Sequence, residues 1–292
     1  LFYDSFIIDV TTPERTHMVS SYGYGFGYIG GSTIPFVAAI VLVMFGENFG
    51  VSKDLAARIS FVIAACWWLV FSIPFLRDVR QKYSVPRERG MIAKSLRNII
   101  ETFVNIKKYK AVFVFLLAYF FYIDGVNTVI HMATIYGASV GIDETQMIIA
   151  LLVIQILAFP FALLFGRLSK KFGGAAMLKT GIVVYIGICV FAYFMTQSWQ
   201  FWLIAVLVST CQGGMQAISR SYFAGMLPKE KSNEFFGFYD IFGKFAAIMG
   251  PALYGFFTQI FGETRYGVLS IALLFVAGGA VFLFSERKKQ DS

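Results

Sequence analysis

Hydrophobic positions in this chain run together in long blocks rather than alternating with polar ones. A hydrocarbon core of about 30 Å is crossed by about 20 apolar residues of helix. Eight blocks meet that length, at approximately 20–45, 59–76, 111–136, 146–165, 175–195, 199–219, 235–261 and 266–285. Residues Leu1 to Val10 read as the end of a further helix. The chain opens within a hydrophobic run, with neither an initiator Met nor the charged front of a signal peptide, so it is expected to be an N-terminally truncated fragment. One long polar connection, Arg77 to Lys110, separates two blocks from the six that follow. Within it Ile92, Leu96, Ile99, Phe103 and Ile106 recur at helical spacing among Lys and Arg. That pattern fits either an amphipathic helix on an anionic membrane surface or a solvated linker helix with one apolar face. The predicted fold class is therefore an all-α polytopic membrane protein.

Composition agrees and narrows the function classes. Of 292 residues 58% are hydrophobic and only 14% charged, and the mean hydropathy is +0.69. Average globular chains are about 25% charged, so a soluble enzyme, a disordered protein and a nucleic-acid binder are all excluded. The net charge of +8 is explained by where the bases fall. Assigning alternate connections to opposite sides puts 21 Lys and Arg on one side and three (Lys53, Arg58, Arg265) on the other, with Lys244 inside a block. Such a bias marks the cytoplasmic side and predicts a cytoplasmic C-terminus. Cys66, Cys189 and Cys211 lie in apolar runs without metal-ligand or disulfide spacing, so they read as packing residues and no metal or cofactor is expected.

An internal repeat spans the polar connection. Pro13, Phe26-Gly27 and Pro35 recur as Pro228, Phe242-Gly243 and Pro251, with the Phe to Pro spacing nine residues in both copies. Parallel repeats of six helices are a feature of large secondary transporters. In that frame the domains are 1–76, the tail of helix 4 with helices 5 and 6; 77–110, a basic linker; and 111–292, a six-helix bundle with its tail.

Few polar groups remain inside the blocks, and they are the candidate chemistry. Asp124 lies near the centre of 111–136, and Asn127, Thr128 and His131 follow at i+3, i+4 and i+7 on one helix face. An ionisable group at that depth normally faces a bundle interior or an aqueous cavity. Asp124 therefore reads either as part of a solute or proton pathway or as a buried partner for another helix, and His131 reads more simply as a packing histidine. Gln212, Gln216 and Ser219 form a second one-face stripe, suited equally to interhelical hydrogen bonds and to solute contact. Arg220 ends that helix, and Asp240 and Lys244 can pair at i, i+4 as a gate or as a self-neutralised pair. Gly250-Pro251 should bend its helix.

Gly23, Gly27 and Gly31 at intervals of four suggest close helix packing. The overlapping G-x-G-x-x-G at Gly25 to Gly30 lacks the βαβ setting of a dinucleotide site. No Walker loop, H-E-x-x-H or G-x-S-x-G occurs, so neither ATP nor a catalytic role is expected.

The turn Gly166 to Gly174 resembles the cytoplasmic signature G-x-L-x-D-[RK]-x-G-[RK] of the major facilitator superfamily. Gly166, Leu168, Lys171 and Gly173 match, while Lys170 stands at the family's Asp and Gly174 at its last base. Phe2 to Phe6, Gly23 to Gly31, Tyr122 to Thr128, Gln216 to Ser221 and Glu234 to Tyr239 resemble the vacuole-effluxer branch, the autophagy-related protein 22-like transporters. So do Gly243-Lys244-Phe245 and Gly250-Pro251.

The resemblance implies twelve helices in two bundles, of which this chain holds helices 5 to 12 with eight complete. It also implies alternating access without ATP hydrolysis, and a plasma membrane setting for a monomeric bacterial member. Its expected partners are the lipid bilayer, a small organic solute such as an amino acid, and protons or another coupling ion. Asp124, Asn127, Thr128, His131, Gln212 and Gln216 would line the pathway. Arg220, Asp240, Lys244, Gly166 and Gly173 would work at the cytoplasmic gate, and Gly23, Gly27, Gly31, Gly250 and Pro251 would serve helix packing. Rival readings are a cation-coupled sugar symporter and a non-transporting receptor or scaffold.

Overall fold

The computed structural model describes residues 2–83 and 109–290, so the proposed amphipathic helix over 92–109 lies almost wholly outside the described residues. Two single turns of helix, α1 (Phe2–Ser5) and α2 (Ile7–Val10), come first. After them α3 (Thr16–Phe26), a π-helical segment (Gly27–Thr33) and α4 (Ile34–Phe45) form one continuous path. The remaining elements are α5 (Lys53–Asp78), α6 (Lys110–Ser139), α7 (Glu144–Phe172), α8 (Gly174–Tyr193), α9 (Ser198–Ala224), α10 (Ser232–Phe245), α11 (Met249–Phe261) and α12 (Thr264–Gln290). Among the described residues there is no strand, and eight helical paths are long and apolar enough to cross a membrane. The chain is an all-α polytopic membrane protein.

Local chemistry sets the helix ends. Ser52 Oγ accepts the Leu55 N–H at 3.3 Å, and Asp143 accepts from Thr145 and Gln146 at 2.9 and 3.2 Å, which satisfies donors that a helix start leaves without partners. Gln197 and Gln200 cap α9 reciprocally. Between α7 and α8 the turn needs Gly173, whose φ of 82° lies in the left-handed region.

Helices α6 to α12 enclose the core, with α6 packed most extensively on α12 and α7 on α9. Small residues allow these approaches. A Cβ on Gly125 would stand 2.7 Å from the Phe275 ring, and one on Gly181 would stand 2.6 Å from Met215. Helix α3 leans across onto α7 and α9, whereas α4 and α5 pack chiefly on each other and leave Phe61, Trp68 and Leu76 more than 70% exposed.

Two predicted blocks are not single regular helices. The block 235–261 breaks at Ala246 to Ile248 into α10 and α11. Pro251 has no N–H to give the carbonyl four residues back, and its ring crowds that carbonyl; the chain makes tight turns there instead, Ala247 bonding Lys244 and Ile248 bonding Phe245. In the block 20–45 the helix widens at Gly27. Thr33 Oγ1 donates to the Tyr28 carbonyl at 2.7 Å, and Trp67 Nε1 from α5 takes the Gly30 carbonyl at 2.7 Å.

That widening changes the glycine reading. Intervals of four make one seam only on a regular α-helix. Among the described residues nothing lies within 4 Å of where a side chain would begin on Gly27 or Gly31, while Gly25, off the predicted stripe, meets Phe159 and Leu163.

Candidate functional site

The polar interior is organised around Arg220, which is 6% exposed. It lies four residues before the end of α9, whose face also carries Gln212, Gln216 and Ser219. Its guanidinium donates through Nη1 to Asp4 Oδ1 at 2.6 Å, through Nε to Ser20 Oγ at 3.0 Å and through Nη2 to the Ser20 carbonyl at 3.3 Å. The Tyr24 ring centroid is 4.7 Å from its carbon and that of Tyr3 is 5.9 Å away. A buried guanidinium is tolerated when its fork of donors is met, and here one carboxylate, one hydroxyl and one carbonyl meet it. Gly23 leaves room for it, since a Cβ there would be 3.2 Å from Nη2. Three segments that are remote in sequence, α1, α3 and α9, are thus tied at one side chain.

The same seam continues along α3. His17 Nδ1 lies 2.6 Å from Ser221 Oγ, Ser20 Oγ donates to the Ala217 carbonyl at 2.7 Å, and the Tyr28 hydroxyl donates to Gln216 Oε1 at 3.2 Å. Gly166 lets α7 join, because a Cβ there would fall 2.6 Å from Ser21. Beside the seam, in addition to a cavity of about 800 Å³ at its His17 and Ser221 end, are two smaller ones. One, of about 390 Å³, is lined by Tyr3, Asp4, Tyr24, Tyr28, Gln216 and Arg220. The other, of about 270 Å³, shares Asp4, Tyr24 and Gln216 with it and adds Tyr119, Asn127, Asp240 and Lys244. Lys244 Nζ lies 2.9 Å from Asp240 Oδ2, with the lysine side chain 75% exposed. Tyr119 and Tyr239 stack at 4.2 Å, and the Tyr122 hydroxyl lies 2.7 Å from Ser219 Oγ.

The stripe predicted from Asp124 divides. Asp124 is fully buried, and its Oδ1 accepts the Gly250 N–H at 3.0 Å and the Thr128 hydroxyl at 3.4 Å. The break before α11 leaves the first N–H groups of that helix without intrahelical partners. The carboxylate meets one of them at the positive end of the helix dipole. Gly250 is required for this contact: a Cβ would run into Thr128 Oγ1 and within 2.8 Å of Asp124 Oδ1. Pro251 causes the break, and Oδ2 of Asp124 has no hydrogen-bond partner among the described residues. Asn127 lines the second cavity, whereas His131 is exposed. Gln212 lies apart from both cavities, inside the C-terminal bundle.

One consequence is measurable. Asp124→Asn keeps an oxygen for the Gly250 N–H and is expected to melt close to the parent chain. Asp124→Leu removes it and should cost about 1 kcal/mol, read as a lower melting temperature in detergent.

Sequence reasoning did not single out Asp4, Ser20, Tyr24 or Tyr28. The available signals were an acid four residues into an apolar run and the place of Asp4, Tyr24 and Tyr28 within motifs that carry the family resemblance. Asp4 and Arg220 are 216 residues apart, and nothing local announces their pairing. No group of three or more His, Cys, Asp or Glu occurs among the described residues in a metal-binding arrangement.

A family model described as "Vacuole effluxer Atg22 like" matches residues 9–292. The MFS-type transporter YxiO of Bacillus subtilis (strain 168) is 47% identical over 286 residues, covering 97% of this chain and 67% of YxiO. Autophagy-related protein 22-1 of Aspergillus fumigatus is 25% identical over 309 residues, covering 94% of this chain and 49% of the relative. Autophagy-related protein 22 of Coccidioides immitis is also 25% identical, over 313 residues and with the same coverage. The chain spans about two thirds of YxiO and about half of the fungal relatives. With eight membrane-length helices, a relative named as an MFS-type transporter and a family match over nearly the whole chain, it belongs to the MFS-type, vacuole effluxer Atg22-like family of multi-pass membrane proteins.

Proposed function

We propose that the chain is the greater part of a secondary transporter that moves a small organic solute by alternating access, with no ATP hydrolysis. The observation that carries this reading is the Arg220 cluster. It joins α1 and α3 to α9 beside polar, tyrosine-lined cavities in an otherwise apolar protein. Polar side chains also tie membrane helices together, but intramembrane charges beside cavities mark solute and ion paths. Asp4 and Asp240, Arg220 and Lys244, and the amides of Asn127 and Gln216 together offer both signs of charge to one solute. This suits a zwitterion such as an amino acid. The family description, vacuole effluxer, supports solute export.

In this reading the seam from His17 to Arg220 closes the cytoplasmic side, with Gly166 and Gly173 shaping the adjoining turn and Asp240 and Lys244 at the edge of the path. The excess of Lys and Arg on one side supports a cytoplasmic C-terminus in a bacterial plasma membrane. Asp124, whose Oδ2 has no donor among the described residues, is the group for proton coupling.

The test is amino-acid flux in proteoliposomes of the full-length protein under an imposed pH gradient. Accumulation that follows the gradient, and an Asp124→Asn variant that exchanges solute but no longer accumulates it, are the expected results. Gradient-independent flux unaffected by the substitution would remove the coupling role. Flux of sugars alone would favour a sugar symporter, and no flux of any small solute would favour a receptor or scaffold.

A further inference from the structure

We propose that the C-terminal bundle contains a second binding site, separate from the Arg220 cavities, for a small uncharged solute that joins an aliphatic body to N–H or O–H donors. The site is a cavity of about 80 Å³ bounded by α6, α7, α8, α9 and α12, and it shares no lining residue with the cavities beside Arg220. Ile154, Cys189, Ala205 and Val208 are typical of its wall, and no charged side chain among the described residues lines it.

Two amides interrupt the apolar surface. Gln155 on α7 and Gln212 on α9 both line the cavity, and the Oε1 of each is buried without a hydrogen-bond partner among the described residues. The Tyr28 hydroxyl is not the missing donor for Gln212, because it is given to Gln216 Oε1 at 3.2 Å. Tyr136 cannot serve as the missing donor, because its hydroxyl is already given to the Ala192 carbonyl at 2.5 Å.

A buried amide oxygen without a donor lowers stability, and most such groups in folded proteins are satisfied. Two of them on one apolar cavity make an acceptor pair matched to an occupant with donors. The absence of charge in the wall selects against an ion, which would be buried unpaired. Size limits the rest: a cavity of about 150 Å³ admits benzene with its six carbons, so about 80 Å³ suits three or four non-hydrogen atoms. Binding here does not depend on the chain acting as a transporter.

Acetamide, with two N–H donors on a methyl body, is the probe. Acetone has the same shape with a methyl group in place of the NH₂. Saturation-transfer NMR on the chain in lipid nanodiscs, with empty nanodiscs as reference, should show acetamide binding. The ketone should bind about tenfold more weakly, and Gln155→Leu and Gln212→Leu should each weaken acetamide by about tenfold. Gln155→Leu gives up no hydrogen bond at its oxygen, so it decides the matter if Gln212→Leu does not fold. No acetamide signal above the empty nanodiscs would mean that the cavity takes water only and would overturn the proposal. Equal binding of the two probes, or acetamide binding unchanged in Gln155→Leu, would overturn it as well.

Discussion

Arg220→Ala should abolish solute flux in the full-length protein and lower the stability of the bundle by about 2 kcal/mol. Breaking a fully buried ion pair costs about 3–5 kcal/mol because the remaining charge is stranded. Asp4 keeps 27% side-chain exposure and can hydrate in part, which reduces the figure. Ser20 also loses two donors and the rings of Tyr3 and Tyr24 lose their cation. Arg220→Lys is expected to recover less than half of the stability, since a point charge cannot reach three acceptors as a planar fork does. The paired replacement Asp4→Leu with Arg220→Met separates structure from function. It removes both charges, so the melting temperature should return most of the way while flux stays lost. Recovery of flux in that double variant would show that the pair is a structural tie only.

Gly250→Val is expected to be comparably damaging, by about 3 kcal/mol. Its side chain would enter the space held by Thr128 Oγ1 and lie against Asp124 Oδ1. Overpacking of that kind costs about 1–3 kcal/mol, and pushing the carboxylate off the Gly250 N–H removes a helix cap worth about 1 kcal/mol more. The rescue is specific: Gly250→Ala in a Thr128→Ala background clears the nearest atom and should melt several degrees above Gly250→Ala alone. Thermal unfolding in detergent, followed by circular dichroism at the helix minimum, reads both comparisons. Equal melting of Gly250→Val and the parent chain would mean that α11 can shift freely against α6 and that Asp124 is not a cap.

Particular residues show how far the chain could be read in advance. The start of α7 at Glu144 and its end at Gly173 follow from Asp143 and from a glycine able to take positive φ, both local features. Pro251 announced a disturbance, but the full break and its repair by a carboxylate 126 residues away depend on how α6 and α11 are brought together. The stripe from Asp124 to His131 was correct as helix geometry and incomplete as a site. Sharing a face is fixed by 3.6 residues per turn, whereas what faces each turn is fixed by the neighbouring helices. Thus Asp124 meets α11, Asn127 a cavity and His131 the outside of the bundle. Of the glycine stripe, Gly23 meets Arg220, whereas Gly27 and Gly31 have no neighbour within 4 Å among the described residues, and the π-helical segment alters the spacing from Gly27 onward.

By itself the sequence determined that this is a helical membrane protein, how many membrane-length blocks it holds and which connections carry the positive charge. These properties depend on the transfer of each segment from water to hydrocarbon, a cost summed over neighbouring residues and independent of distant ones. Tertiary structure alone decided that Arg220 answers to Asp4 and Ser20, that Asp124 caps α11, and that Gln155 and Gln212 face one cavity. Buried polar groups are stable only with partners, and in this chain those partners come from other helices, brought within bonding distance only when the bundle packs.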